Sequence, residues 1–72
     1  MDLSLFIDLE KLGESVRCCR LRNGLTVRQL ADKAAVSEEL LYLVEEGDRE
    51  PSLSAFVRIV HALDVDPASL LS

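Results

Sequence analysis

Apolar residues recur at helical spacing between Thr26 and Glu46, the stretch around which the rest of the chain is organised. Residues three or four apart share a face of an α-helix, so a stripe at this spacing marks a side that packs inward. The positions are Leu30, Ala31 and Ala34 in one segment and Leu41 and Val44 in the next. The pattern predicts two short amphipathic helices.

Capping residues set the limits of these two helices. Thr26 and Gln29 have the spacing of a capping box, in which each side chain accepts a hydrogen bond from the backbone N–H of the other residue. Ser37 is suited to the N-cap of the second helix, and Gly47 is suited to follow its end. The predicted helices span about residues 27–35 and 38–46, with a tight turn between them.

Three more helices are predicted on either side of this pair. The first runs from about Lys11 to Asn23 and stops at Gly24, which tolerates a left-handed backbone. A fourth helix over 53–63 follows the N-cap candidate Ser52. Its apolar stripe consists of Leu53, Phe56, Val57, Ile59, Val60 and Leu63. Such a broad stripe predicts a helix that is buried along much of its surface.

The end of the chain predicts one last short helix. Asp64 stands where a left-handed residue is usually needed, and aspartate tolerates that conformation better than most residues. Asp66 and Pro67 then read as the N-cap and first position of a helix that continues to Leu71. No segment alternates in the manner of a strand. The predicted fold class is therefore all-α, with five short helices.

Residues 1–11 carry apolar side chains in a pattern that fits neither the helical nor the strand period. They are Leu3, Leu5, Phe6, Ile7 and Leu9. This segment could start the first helix early or lie across the domain as an arm. Large apolar groups are rarely left in water, so we expect it to dock on the core or on a second copy. The expected organisation is an apolar segment at 1–11 and a helical domain at 12–72.

Composition narrows the class of protein. Seventy-two residues suffice for one small domain, and neither a membrane-spanning run nor a signal peptide is evident, so a cytoplasmic protein is expected. Cys18 and Cys19 are adjacent, which disfavours a disulfide between them, and no further cysteine or histidine cluster accompanies them. We expect reduced thiols, with Cys19 in the core, Cys18 in solvent, and no metal site.

The formal net charge of −5 is unevenly distributed. Residues 13–36 carry five basic and two acidic side chains, a net charge of +3. Residues 37–50 carry the opposite sign, a net charge of −5, because only Arg49 offsets the acidic residues Glu38, Glu39, Glu45, Glu46, Asp48 and Glu50. The basic segment therefore leads directly into a strongly acidic one.

The order of these motifs resembles the phage-repressor or Cro-type helix-turn-helix family, also called the XRE family. The motifs that carry the resemblance are Gly24-Leu25-Thr26, Leu30-Ala31, Val36-Ser37, Glu45-x-Gly47, Arg49, Pro51-Ser52-Leu53 and Ala62-Leu63-x-Val65. They cover about residues 12–71 without an insertion. The resemblance implies a lambda-repressor-like DNA-binding domain, with the helix-turn-helix at helices 2 and 3. It also implies a transcriptional regulator that binds double-stranded DNA as a homodimer, with helix 3 in the major groove.

Carried over position by position, the resemblance assigns structural and DNA-facing residues. Arg20 and Glu45 fall where the family often keeps a partly buried ion pair, and Ala31 falls where helices 2 and 3 cross. Val27 takes a position where a phosphate-contacting glutamine is frequent, a contact that valine cannot make. The expected DNA-binding residues are Arg28, Glu38, Glu39, Leu40, Tyr42, Leu43 and Arg49. Further candidate phosphate contacts are Arg17, Arg22 and Lys33.

The acidic character of helix 3 leaves a second interpretation open. Phosphate neutralisation supplies most non-specific DNA affinity, and Glu38 and Glu39 oppose it. Each could instead stabilise the first turn of the helix, and a single glutamate can accept a hydrogen bond from cytosine. Leu40, Tyr42 and Leu43 would suit a protein-binding face with an apolar centre and a charged rim. The fold could therefore serve as a protein-interaction module, unless Leu40 and Leu43 pack on the chain's own N-terminal segment.

Enzymatic residues are not evident in the sequence. There is no Ser/His/Asp or Cys/His arrangement at usable spacing, no glycine-rich phosphate loop and no paired carboxylates in an expected cleft. His61 lies on the outer side of the fourth predicted helix and is interpreted as a surface residue. The chain is not expected to be an enzyme or to need a cofactor.

Overall fold

The computed structural model describes residues 8–71, and within that range the chain forms five helices and no strand. The helices are α1 (Leu9–Arg22), α2 (Val27–Ala34), α3 (Glu38–Glu45), α4 (Leu53–Leu63) and α5 (Pro67–Leu71). The predicted all-α class with five short helices is confirmed. Helix α2 packs against both α3 and α4, while α1 packs against α3 and α5.

Helix α1 begins two residues earlier than predicted, at Leu9. Asp8 is its N-cap, and the Asp8 Oδ1 atom accepts hydrogen bonds from the backbone N–H groups of Glu10 at 2.9 Å and Lys11 at 3.4 Å. These bonds satisfy donors that the first turn of a helix leaves unpaired. Residues 9–11 therefore extend the first helix, one of the two possibilities predicted for residues 1–11, and residues 1–7 of that segment lie outside the described part of the chain.

The other caps follow the predicted chemistry. Thr26 and Gln29 form a complete capping box, with the two reciprocal bonds at 3.0 and 2.9 Å. Ser37 accepts a hydrogen bond from the backbone N–H of Leu40 at 3.0 Å, which fixes the start of α3. Ser52 caps α4 in the same way. Side chains next to each helix thus determine where α2, α3 and α4 begin.

The core is one cluster of side chains contributed by every helix, with the interior of α2 and α4 at its centre. Cys19 is buried and Cys18 is exposed, as expected from their positions on α1. The prediction for α4 was wrong at two residues, because Leu53 and Val57 are 51% and 45% exposed. Ala55 and Ala62 are buried instead. At 100° per residue the two alanines lie at one edge of the apolar stripe and Leu53 and Val57 at the other, so the buried side of α4 is displaced toward the alanines.

Within the described range 8–71, two residues other than glycine have a left-handed backbone. Asp64 ends α4 with φ at 55°, as expected, and Ala35 ends α2 with φ at 57°. The Ala35 conformation turns the chain from α2 into the cap of α3, so the geometry of the helix pair depends on it. An L-residue with a Cβ atom pays about 1–2 kcal/mol for this conformation, and glycine does not.

Ala35→Gly should therefore raise the free energy of unfolding by about 0.5–1 kcal/mol, since relief of strain exceeds the extra entropy of the unfolded chain. Thermal or urea unfolding followed by circular dichroism measures the change. Ala34→Gly is the matched control, because Ala34 lies inside α2 and is 3% exposed. That substitution should destabilise the fold by about 1 kcal/mol or more. A loss of stability in Ala35→Gly as well would contradict the role assigned to strain at the turn.

Candidate nucleic-acid interface

Helix α3 presents its inward side to α1 and α2 through a short buried stripe. Leu41 is 0% exposed, Val44 is 1% exposed and Glu45 is 6% exposed. On the facing side, Ala31 of α2 is 2% exposed. A small residue at this place lets the backbones of α2 and α3 lie close together. The inward half of the helix pair thus has the packing that the apolar spacing predicted.

An ion pair holds the carboxylate in this stripe. The Arg20 side chain donates from Nε to Glu45 Oε2 at 2.7 Å and from Nη2 to Glu45 Oε1 at 3.0 Å. Arg20 Nη1 also donates to the backbone carbonyl of Leu25 at 2.9 Å. A two-pronged contact of this kind is among the stronger polar interactions in proteins. It ties α1 to α3 and to the loop before α2, and it directs the Glu45 charge inward, away from an approaching ligand.

A second arginine joins the same acidic group from the solvent side. Arg17 donates from Nη2 to Glu46 Oε2 at 2.5 Å, and its Nε atom lies 3.5 Å from Glu45 Oε1. The hydrogen bond with Glu46 is the main reason that the pKa of Arg17 is raised, so its guanidinium is charged at any pH where the fold is studied. Arg17, a candidate phosphate contact in the sequence, is therefore engaged within the protein.

Glycine at position 13 sets the distance between α1 and α3. A Cβ atom built on Gly13 would lie 2.5 Å from the backbone carbonyl oxygens of both Val44 and Glu45. Real Cβ atoms do not approach backbone oxygens so closely, so only glycine fits. Sequence analysis did not single out Gly13. Its position in the buried stripe between Leu12 and Val16 was the available signal, because a glycine inside a helix often has a packing reason.

The outward side of α3 combines acidic and apolar groups. Glu38 and Glu39 are exposed, and Tyr42 is 55% exposed. Leu40 and Leu43 were expected to face outward, but their side chains are half-buried and not fully exposed. The surface formed by Glu38, Glu39, Leu40, Tyr42 and Leu43 is called the α3 face below.

Basic groups flank the α3 face at two places. Arg28 is exposed in the first turn of α2, and Arg49 is exposed in the loop that follows α3. Val27, beside Arg28, is half-buried and packs against the core, so it has no polar group to offer a ligand. Arg28 thus lies at the N-terminal end of α2 and Arg49 beyond the C-terminal end of α3, whereas the two glutamates are in the first turn of α3.

Among residues 8–71, no group of three or more His, Cys, Asp or Glu side chains could hold a metal ion. None of the helices in that range is both long and apolar enough to cross a membrane. His61 is exposed on α4. The arrangement with the most developed surface chemistry thus remains the α3 face with its flanking arginines.

Comparison with known proteins assigns the fold to a family. Residues 11–71 match the family described as helix-turn-helix domain. The structure is similar to the restriction-modification controller protein C.AhdI from Aeromonas hydrophila, with 33% identity, a TM-score of 0.84, and coverage of 88% of this chain and 96% of that one.

It is also similar to the clp gene regulator ClgR from Corynebacterium glutamicum, in two structures. The first has 34% identity, a TM-score of 0.84, and coverage of 90% of this chain and 69% of that one. The second has the same identity, a TM-score of 0.82, and coverage of 90% and 84%. A comparison with curated proteins gave no significant match. The family match over nearly the whole chain and the similarity to these regulators together show that the chain belongs to the helix-turn-helix family.

Proposed function

We propose that this DNA-binding transcriptional regulator of the helix-turn-helix family binds operator DNA as a homodimer, with α3 lying in the major groove. Arg28 and Arg49 would contact phosphates, and Tyr42 with Glu38 or Glu39 would reach base edges. The observation that carries the proposal is the exposed α3 face, flanked by these two arginines, on a scaffold that matches the family over residues 11–71.

The scaffold supports the proposal because it holds α3 rigidly from behind. Arg20, Glu45 and Gly13 fix α3 against α1, and the capping box of α2 fixes the neighbouring helix. Preorganised groups lose little freedom when they bind, so a fixed helix suits recognition of a regular groove. A dimer that sets two α3 helices about 34 Å apart would engage successive turns of the duplex.

The charges predict weak and only moderately salt-dependent binding. With Arg17 and Arg20 engaged by Glu45 and Glu46, Arg28 and Arg49 remain as the main phosphate contacts on each copy. Two contacts per copy give a slope of about −4 for log K against log salt in a dimer. Glu38 and Glu39 repel the same phosphates, but either could accept a hydrogen bond from a cytosine amino group. Selectivity for particular bases would then matter more than overall affinity.

Titration of double-stranded DNA by fluorescence anisotropy at several salt concentrations tests the proposal. Arg28→Ala and Arg49→Ala should each weaken binding and reduce the magnitude of the dimer's slope by about two. Glu38→Gln with Glu39→Gln should tighten binding by about tenfold, because it removes two repulsions. Lys11→Ala is the matched control, since it removes an exposed cation on α1 and should leave the slope unchanged.

Absence of any binding at micromolar protein and low salt would overturn the proposal. Equal effects of Lys11→Ala and Arg28→Ala would show binding through overall charge alone and would remove α3 from the interface. Unbiased selection of DNA fragments by the wild-type protein supplies the operator for the experiment. A selected sequence with two related half-sites about one helical turn apart is expected for the dimer.

A second function is favoured by the exposure of Tyr42, which is 55% accessible beside two glutamates. The same fold would then act as a protein-interaction module, a co-regulator or antagonist that binds through Leu40, Tyr42 and Leu43. This function predicts that Tyr42→Ala abolishes partner binding, while the wild-type protein shows no DNA affinity at low salt. The DNA titration separates the two functions without knowledge of the partner's identity, because only the first function requires DNA affinity.

The proposal includes the location and organisation of the protein. A cytoplasmic location is consistent with a regulator of transcription of this family. The DNA-binding domain would comprise residues 12–72 together with the start of α1 at residues 9–11, and the rest of the apolar segment would precede it. The family and the regulators compared above are not enzymes, which agrees with a role in binding.

A further inference from the structure

A shallow basic cleft of about 380 Å³ lies between the C-terminal end of α2 and the side of α4. Lys33, Arg58 and His61 stand at its rim, while alanines and Val57 form its floor. Among the described residues 8–71, none of those that line it carries a carboxylate side chain. The protein has a net charge of −5, so this cluster of basic groups gives the cleft a sign of charge opposite to that of the whole molecule. This surface is called the basic cleft below.

The cations of the basic cleft are available for another molecule. The ion pairs found among residues 8–71 engage Arg17 and Arg20. Arg58 Nη1 reaches only the backbone carbonyl of Ala35, at 3.5 Å, the outer limit of a hydrogen bond. Lys33 and Arg58 compensate the negative end of the α2 dipole, which accounts for their position. The interaction with the dipole does not explain why the floor between these two cations is apolar, with Val57 45% exposed.

The chain itself carries a surface of complementary chemistry. Residues 37–50 have a net charge of −5, and the α3 face combines two exposed glutamates with Tyr42. The two surfaces adjoin, because Ala35 lines the basic cleft and Ser37 caps α3. When two complementary patches lie side by side, a two-fold axis brings each patch of one copy onto the other patch of its partner. In a two-fold dimer the contact between a basic cleft and an α3 face therefore forms twice.

We propose that two copies of the chain form a two-fold dimer in which the basic cleft of each receives the α3 face of the other. Lys33 and Arg58 pair with Glu38 and Glu39, and Val57 covers Tyr42. This dimer differs from the DNA-binding one, which leaves both α3 helices free. The contact between the two copies does not depend on the proposed function. Its effect on DNA binding does rest on that function: because the dimer hides α3, rising protein concentration reduces DNA binding.

Electrostatics determine how strong this contact is. Exposed ion pairs contribute about 0.2–1 kcal/mol each, and they are screened over about 10 Å at 0.1 M salt. Four such pairs and two patches of apolar contact give a dimer that forms at high protein concentration and weakens as salt is added. Moderate affinity suits a reversible mask, because a tight dimer would leave no α3 face free for DNA.

A charge-exchange experiment tests the contact without DNA. One variant carries Lys33→Glu with Arg58→Glu, and the other carries Glu38→Lys with Glu39→Lys. Sedimentation velocity should show each variant alone associating at least about tenfold more weakly than the wild type, because like charges now meet. An equimolar mixture should regain the association, since each α3 face then finds a cleft of opposite charge. Lys11→Glu with Arg22→Glu makes the same change in net charge away from the cleft and should leave association unchanged.

Circular dichroism verifies the fold of each variant, and recovery in the mixture requires both to be folded. Failure of the mixture to regain association, or a self-association that Lys33→Glu with Arg58→Glu leaves at the wild-type level, would overturn the proposal. A wild-type protein that stays monomeric at high concentration and low salt would overturn it as well. DNA titration at several protein concentrations measures the consequence separately: if the protein binds DNA, a rising protein concentration should lower the apparent DNA affinity of the wild type but not that of the Lys33→Glu, Arg58→Glu variant, whatever the absolute affinity of each.

Discussion

Arg20→Met is expected to lower the free energy of unfolding by about 3 kcal/mol, because it leaves the Glu45 carboxylate buried without its main partner. The Glu45 side chain is 2% exposed, and both its oxygens accept hydrogen bonds from Arg20. Methionine retains much of the length and apolar stem of arginine, so the loss is chiefly electrostatic. In a domain of this size the melting temperature should fall by roughly 15 °C. Thermal unfolding followed by circular dichroism measures it.

Two controls identify the buried charge as the cause. Arg17→Met removes a cation from the same acidic group, but the Arg17 side chain is 44% exposed, so the loss should be much smaller. Arg20→Met with Glu45→Leu removes both charges and should recover most of the lost stability, because buried ion pairs are often replaceable by apolar residues. A double variant as unstable as Arg20→Met alone would contradict this account and assign the loss to packing.

Gly13→Ala should destabilise the fold by about 2 kcal/mol or more, the second-largest effect expected. The new methyl group would lie 2.5 Å from two backbone oxygens of α3, and backbone cannot rotate out of the way as a side chain can. A contact this short with two fixed backbone oxygens puts the cost of overpacking at the upper end of its typical range, about 3 kcal/mol or more, and alanine's better helix propensity returns about 1 kcal/mol. Urea unfolding gives the free energy directly.

Gly24→Ala separates crowding from backbone strain. Gly24 has φ at 69° and no neighbouring atom within 4 Å of a built Cβ, so its substitution costs strain alone, about 1 kcal/mol. Gly13→Ala should also move α3 away from α1, and chemical shifts of Val44 and Glu45 should change more than those of α4 and α5. A Gly13→Ala variant as stable as the wild type would show that the two helices do not cross as closely as described.

The helices could be predicted well because their determinants are local. The side chains of Ser37 and Ser52 each accept a hydrogen bond from the backbone N–H three residues later. The side chains of Thr26 and Gln29 each accept one from the backbone N–H of the other residue. Such interactions are present in the sequence itself, independent of the rest of the fold. The N-cap of α1 was not predicted, because Asp8 lies within a segment whose apolar pattern fitted neither the helical nor the strand period. The predicted start of α1 was therefore two residues too late.

The candidate site was harder to predict because its chemistry depends on neighbours distant in the sequence. The family resemblance brought Arg20 and Glu45 together in advance, but nothing local showed that Arg17 would bond to Glu46, 29 residues away. That contact removes a cation from the expected interface. Likewise, the spacing of Leu40 and Leu43 placed them outward, and only the folded chain shows them half-buried.

By itself the sequence determined the five helices, the caps of α2, α3 and α4 and the left-handed end of α4, because periodicity and capping act over a few residues. It also determined the opposite charges of residues 13–36 and 37–50. Only the tertiary structure decided how those charges are used. It brings α1 so close to α3 that only glycine fits at position 13, and it pairs Arg17 with Glu46 at the end of α3. It also places Lys33 and Arg58 on the lining of one cleft. Such contacts arise from the packing of whole helices, which no local pattern specifies.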